Sequence, residues 1–213
     1  MLTVHHLNRS QSERIVWLCE ELGLDYKLVV HARDPITQLS PPSIRALHPI
    51  GSAPIIQDGD VTLAESGAIV DYILGRYGDG RLTYGPQAPE FAEYLYWLHF
   101  ANGTLQPAMG RVFVMGRLKV AADDPMVIGV HARFKRCLRL LEDRLAASPY
   151  LAGPEFSVAD VMTMFTLTTM RVFSPLDLTP YPAILAWIQR LAERPAYKRA
   201  MEKGDPGMAL LLT

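Results

Sequence analysis

The sequence predicts two domains of different class: an α/β domain over residues 1–78 and an all-helical domain over residues 90–213, joined by a linker at 79–89. Three observations predict this. Strand and helix patterns alternate as far as residue 77. Gly78, Gly80, Gly85, Pro86 and Pro89 then break any regular element. Beyond residue 90 the strand patterns stop and apolar residues recur at helical spacing.

Leu2 to His6 reads as a short strand. Glu13 to Leu22 carries Ile15, Leu18, Cys19 and Leu22 on one helical face, and Gly23 ends that helix. Tyr26 to Val30 is a second strand, so the chain opens as a β-α-β unit with a parallel pair and a right-handed crossover. Residues 31–47 read as irregular and proline-rich. Asp58-Gly59 lies between Pro54-Ile55-Ile56 and Val61-Thr62-Leu63, the signature of a tight hairpin. Pro54 opens its strand, where a missing N–H costs no ladder bond. Ile69, Tyr72 and Ile73 place a helix from Ser66 to about Tyr77. This order of elements is that of a thioredoxin-like domain.

In the second half, Glu90 to about Leu118 is helical, with a kink expected from Pro107. Asp123 to about Ala146 forms another helix. Ser157-x-x-Asp160 is a capping box ahead of Val158, Val161, Met162 and Phe165. Ile184, Trp187, Ile188 and Leu191 mark an amphipathic helix, and a short one follows from Pro195 to Met201.

Composition narrows the function classes. A chain of 213 residues that is 49% hydrophobic and 20% charged packs a core and is not disordered. No apolar run approaches a membrane span, and the N-terminus lacks the pattern of a signal peptide, so a cytoplasmic location and no membrane partner are expected. With 21 basic and 22 acidic residues the net charge is −1, which gives no electrostatic reason to expect nucleic acid. The densest basic cluster, Arg133, Lys135, Arg136 and Arg139, reads as the solvated face of a helix. The two cysteines, Cys19 and Cys137, form no Cys-x-x-Cys pair, so a dithiol site is excluded. His5 and His6 are neighbours on a strand and point to opposite faces, and no metal site is expected.

Residues 48–66 carry the strongest functional signal. Glu65-Ser66 falls at a helix start, whose free N–H groups and partial positive charge suit a carboxylate. Ala53, just before Pro54, is placed to turn its N–H and C=O outward toward an extended peptide. This segment resembles the glutathione-binding half of the glutathione transferase family. Leu151-x-Gly153-x-x-x-Ser157-x-Ala159-Asp160 is similar to the folding motif of that family's helical domain. The resemblance covers essentially the whole chain. It implies a cis Pro54, an Ala53 backbone paired with the cysteinyl unit of glutathione, and Glu65 and Ser66 on the γ-glutamyl group. Glutathione is then a co-substrate, and no metal is needed.

Glutathione transfer needs a thiolate. A free thiol titrates near ~8.5, and lowering that by two units corresponds to about 2.7 kcal/mol of preferential thiolate binding. In the family a Tyr, Ser or Cys after the first strand supplies this. Here the loop is Leu7-Asn8-Arg9-Ser10-Gln11-Ser12-Glu13-Arg14 and holds no tyrosine. It looks like the Ser-x-Ser-x-Arg version found in many bacterial and fungal members. Ser10 is the leading candidate for the sulfur ligand. Ser12 and the Asn8 amide are lesser ones, and either serine can instead be only a helix N-cap. Arg14 reads as a structural or dimer residue.

Ser52 stands where many members carry a lysine for a glutathione carboxylate, and Arg33 or Gln38 is a candidate to replace it. By the same resemblance the electrophile site lies between the domains, with Tyr96, His99, Phe100, Gly103 and Met109 as candidate walls. His99 reads first as a hydrogen-bonded interface histidine. The expected activity is conjugation of glutathione to small hydrophobic electrophiles, with peroxide reduction through the same thiolate as a second outcome. The resemblance implies a homodimer and a detoxifying role. A non-catalytic glutathione-binding or regulatory protein on the same fold is the alternative.

Overall fold

The computed structural model describes residues 1–118 and 120–213. They divide into two compact units, the first comprising Met1–Leu82 with Ala192–Leu210 and the second Thr83–Leu191 with Leu211–Thr213.

The first unit is built on a four-stranded sheet of β1 (Thr3–Leu7), β2 (Lys27–His31), β3 (Ile55–Asp58) and β4 (Val61–Ala64), in the spatial order β2-β1-β3-β4. β1 and β2 are parallel, with His5 opposite Val29; β1–β3 and β3–β4 are antiparallel. The helix α1 (Glu13–Leu22) follows β1, as its apolar spacing predicts, and Gly23 caps it by donating its N–H to the Cys19 and Glu20 carbonyls. The hairpin turn sits one residue later than the sequence suggests. Asp58 pairs with Val61, so the two turn residues are Gly59 and Asp60, with Gly59 at a φ of 60°. A glycine at the first central position is what a type II′ turn requires.

The segment read as irregular contains a short helix, α2 (Pro42–Arg45). Pro42 occupies its first turn, where proline's fixed φ favours a helix and its missing N–H is not needed. Its Ile44 is fully buried against Leu7, Ala53, Ile55 and Ala64. Burying such a side chain is worth roughly 1.5–3 kcal/mol, enough to hold one helical turn in place. α3 (Ser66–Tyr77) matches the predicted span, and Tyr72 and Tyr77 both donate their hydroxyls to Asp58 on β3.

Residues 192–210, which the sequence boundaries leave within the 90–213 domain, cluster with the first unit because α9 (Pro195–Gly204) packs on α1. Trp17 meets Tyr197 edge to face with ring centroids 4.9 Å apart. Arg194 grips Glu21 through two N–H groups at 2.6 and 2.8 Å. Arg199, Lys203 and the Tyr26 hydroxyl all donate to Glu20. Burial pushes the Glu20 carboxyl up, but those hydrogen bonds outweigh it and hold it below the usual range. A depressed carboxyl contributes stability that is present above its unfolded value, ~4.3, and is lost as pH falls through the folded value. Both cationic partners are about half exposed, so screening limits the contribution to about 1 kcal/mol. Glu20→Gln is therefore expected to lower the melting temperature by about 2–4 °C at neutral pH. That difference should close in acid, as read from melting curves of both proteins across pH.

The second unit is helical. α4 (Phe91–Phe100), a π-helical turn (Ala101–Leu105) and α5 (Gln106–Leu118) form one long run. The expected disturbance at Pro107 appears as that π turn, in which the Gln106 N–H reaches back to the Ala101 carbonyl. Proline cannot donate to its own i−4 carbonyl, so the ladder shifts before it. α6 (Pro125–Ala147) buries Phe134, Cys137, Leu138, Leu141 and Leu145 and exposes the basic cluster. α7 (Val158–Leu167) is buried along its whole length, and α8 (Pro182–Ala192) follows it. Asp160 does more than cap α7. Its Oδ2 accepts from the Ser157 N–H and hydroxyl, and its Oδ1 accepts from the Leu151 N–H and the Trp187 indole.

Candidate active site

The loop between β1 and α1 is held from three sides. Arg33 donates Nε to the Asn8 carbonyl at 2.9 Å, Nη2 to the Arg9 carbonyl at 2.9 Å and Nη1 to the Gln38 carbonyl at 2.7 Å. From α9, Asp205 Oδ1 accepts the Arg9 N–H at 2.9 Å and the Asn8 amide at 3.0 Å. Gln11 donates to the Ala53 carbonyl at 3.2 Å. Arg9 sits at a φ of 52°, a left-handed conformation that such a network can impose on a non-glycine residue.

Ser10 and Ser12 fall behind one another in this loop. Their hydroxyl oxygens are 2.7 Å apart, and Ser10 Oγ also accepts the Ser12 N–H at 3.2 Å. Ser12 is fully buried and occupies the N-cap position of α1, yet its hydroxyl caps nothing. It faces back toward the strand, accepting the Leu7 N–H at 3.0 Å and lying 2.8 Å from His6 Nδ1. The cap reading of Ser12 is thus corrected by its rotamer. Asn8 is corrected too, since its amide donates to the Gly204 carbonyl and to Asp205, both at 3.0 Å. Neither N–H remains for a sulfur. Arg14 is fully buried, in keeping with a structural residue. Burial pushes the Cys19 thiol up to about 12 and raises Cys137 as well, so neither cysteine offers a thiolate.

The Ala53–Pro54 peptide is cis. Ala53 is buried, and its carbonyl is occupied by Gln11 rather than free, although a carbonyl oxygen accepts two hydrogen bonds. Glu65 is exposed at the start of α3 with a φ of 71°, and Ser66 behind it is buried. A glutamate held in that region is strained, and such strain clusters at ligand sites. Ser52 is exposed and uncharged. Arg33, a candidate to stand in for the missing lysine, spends three of its five N–H groups on the Asn8, Arg9 and Gln38 carbonyls. Gln38 accepts from Arg9 and donates to the Asp34 and Pro35 carbonyls. Asn8, Arg9, Arg33, Gln38 and Asp205 are among the residues lining a cavity of about 490 Å³ beside the loop, with Pro206 and Met208.

In the second unit Tyr96, His99, Phe100 and Gly103 share one largely apolar cavity of about 570 Å³ with Leu95 and Leu140. The Tyr96 and Phe100 rings stack with centroids 5.9 Å apart. Met109 is fully buried and lies outside this lining. Among the described residues no group of three or more His, Cys, Asp or Glu is placed to hold a metal ion, and no helix is long and apolar enough to cross a membrane.

Comparison with known proteins accounts for both halves. The model of the glutathione S-transferase N-terminal domain matches residues 4–83, and that of the C-terminal domain matches residues 91–190. Glutathione S-transferase 3 of Schizosaccharomyces pombe is 31% identical over 227 residues, covering 100% of this chain and 92% of the relative. The chain belongs to the glutathione S-transferase family. A glutathione S-transferase from Actinobacillus pleuropneumoniae superposes on this transferase with a TM-score of 0.88 at 32% identity, covering 96% and 93% of the two chains. The glutathione transferase URE2P6 from Phanerochaete chrysosporium, solved with oxidized glutathione, shares the fold at a TM-score of 0.77 and 23% identity, over 95% of each chain.

The sequence carries no signal for the His6–Asp205 contact, whose partners lie 199 positions apart and meet at 3.1 Å.

Proposed function

We propose that this glutathione transferase lays the tripeptide along the Ala53 backbone, anchors its γ-glutamyl end at Glu65 and Ser66, and ionises its thiol with Ser10. The observation that carries this reading is the Gln11–Ala53 hydrogen bond of 3.2 Å. It ties the Ser10 loop to the edge beside cis Pro54, so a cysteinyl unit paired with Ala53 has its sulfur next to Ser10. Ser10 rather than Ser12 is the sulfur ligand, because Ser12 is surrounded by protein atoms. The thiolate attacks small hydrophobic electrophiles, or reduces organic peroxides, with no metal. Within the second unit, Tyr96, His99 and Phe100 line an apolar, aromatic cavity of the kind small hydrophobic substrates fit.

The resemblance also supports a homodimer in the cytoplasm with a detoxifying role, and the Ser-x-Ser-x-Arg loop supports kinship with bacterial members. The alternative of a non-catalytic binding protein is not favoured by relatives named as transferases. The deciding measurement is retention on immobilised glutathione together with steady-state turnover of chlorodinitrobenzene and an organic hydroperoxide. Binding with turnover of at least one is expected. Binding without turnover of either would return the chain to the regulatory reading. Sedimentation of the same preparation at two concentrations should show a dimer.

A further inference from the structure

We propose that His6, held by Asp205, is the base that receives the glutathione proton through Ser12 and Ser10; this rests on Ser10 being the sulfur ligand. Four side chains form an unbroken line: Asp205 Oδ2 to His6 Nε2 at 3.1 Å, His6 Nδ1 to Ser12 Oγ at 2.8 Å, and Ser12 Oγ to Ser10 Oγ at 2.7 Å. His6 and Ser12 are fully buried, and Ser10 and Asp205 expose only 7% each.

The line has a direction. An ionised carboxylate only accepts, so His6 Nε2 carries the hydrogen and donates it to Asp205. The neutral ring then accepts at Nδ1, so the Ser12 hydroxyl donates there. Ser12 Oγ already accepts the Leu7 N–H, and its remaining acceptor position takes the Ser10 hydroxyl. In this arrangement Ser10 presents an oxygen lone pair to the site, which suits an incoming S–H.

Proton transfer reverses the three bonds between the thiol and His6 Nδ1 and leaves His6 Nε2 donating to Asp205. The thiol proton passes to Ser10 Oγ, the Ser10 hydroxyl proton to Ser12 Oγ, and the Ser12 hydroxyl proton to His6 Nδ1. The sulfur keeps the S–H electron pair as thiolate, His6 becomes imidazolium, and both serines end with one proton each. The Ser10 hydroxyl now donates to the thiolate. An imidazole near ~6.5 and a thiol near ~8.5 make this transfer uphill by about a hundredfold in isolation. The Ser10–thiolate bond and the Asp205–imidazolium pair oppose that cost. Burial pushes the Asp205 carboxyl up, but hydrogen bonds from His6, Arg9 and Asn8 outweigh it and keep it below the usual range, hence ionised.

The surroundings are arranged around the ring. A Cβ at Gly204 would lie 3.0 Å from His6 Nε2 and 3.3 Å from its Cδ2, so a side chain there would push on the ring. The charged and titratable groups that the contacts link to His6 are Asp205 at the end of α9 and His31 on β2, with His5 beside His31. Arg33 faces Asp205, and its guanidinium is committed to the loop carbonyls.

His6 acts through the serines and is a positioning residue, so the test reads proton movement. Thiolate is followed by ultraviolet difference absorbance as glutathione is added at neutral pH, and proton release by calorimetry in buffers of different ionisation enthalpy. The wild type should form thiolate with little proton released to buffer. His6→Asn should bind glutathione with a similar Kd but show a thiolate fraction lower by about 10–100-fold, with the thiol pKa moved toward ~8.5. Asp205→Asn presents an N–H to Nε2 and forces the hydrogen onto Nδ1. It should still form thiolate but release a proton to buffer. If His6→Asn fails to fold, Gly204→Ala keeps every group of the line and displaces the ring, and it should lower the thiolate fraction with a near-normal melting temperature.

Wild-type thiolate in His6→Asn or Gly204→Ala, or release of a full proton by the wild type, would overturn the relay. Ser10→Ala separates the two readings. Wild-type thiolate in Ser10→Ala removes Ser10 as sulfur ligand. Loss there with normal thiolate in His6→Asn removes only the relay.

Discussion

Asp160→Ala is expected to lower the stability of this transferase by about 4 kcal/mol, because it strands several buried donors at about 1–3 kcal/mol each. For a chain of this size that corresponds to about 8–16 °C in melting temperature. One carboxylate gathers four donors from three places in the chain: the Ser157 N–H and hydroxyl, the Leu151 N–H and the Trp187 indole. All are buried, so deleting the acceptor strands donors that water does not reach. Asp160→Asn tests the same account with finer resolution. Its oxygen can still serve Leu151 and Trp187, but its NH₂ then faces the Ser157 N–H. The loss should be smaller than for alanine and should fall on the start of α7. Denaturant unfolding of the three proteins reads the order wild type, Asn, Ala. An alanine variant melting within two or three degrees of wild type would show that the network is not what secures α7.

Ser10→Ala is expected to lower conjugation at neutral pH by about a hundredfold, the ratio that two units of thiol pKa represent. The effect should fall on the ionisation of the sulfur. The acid limb of the pH–rate profile should move up toward ~8.5, and the deficit should shrink in alkaline buffer, where the thiol ionises unaided. KM for glutathione should change little, because Ala53, Glu65 and Ser66 are untouched. A Ser10→Ala enzyme with full activity and an unchanged profile would remove Ser10 from the role. Ser12→Ala offers a contrast. It removes the acceptor of the Leu7 N–H as well as the middle of the line, so it should lower both stability and activity.

Local pattern carried most of the fold. Ile15, Leu18, Cys19 and Leu22 place α1, Ile69, Tyr72 and Ile73 place α3, and Ser157 with Asp160 marks α7, because spacing and capping are written in neighbouring residues. The errors fall where local signals compete. Pro41-Pro42 reads as a breaker but opens α2, whose stability comes from burying Ile44 against strands distant in sequence. The hairpin turn slips by one residue because Asp58-Gly59 and Gly59-Asp60 are both good turn pairs, and only the Asp58–Val61 pairing chooses.

The sequence alone was sufficient for the order of the strands and longer helices, the kinship with glutathione transferases, and the positions 10, 53, 54, 65 and 66 as candidates for the site, since each belongs to a short contiguous motif. Tertiary structure decided which groups of the helix-one loop are already spent: Ser12 on His6 and Leu7, Asn8 on Asp205 and Gly204, Arg33 on three carbonyls. It also brought Asp205 to His6 by packing α9 on α1. The reason is physical. Hydrogen bonds run over about 3 Å of space whatever the separation along the chain, so partners 199 residues apart leave no periodic trace in the sequence.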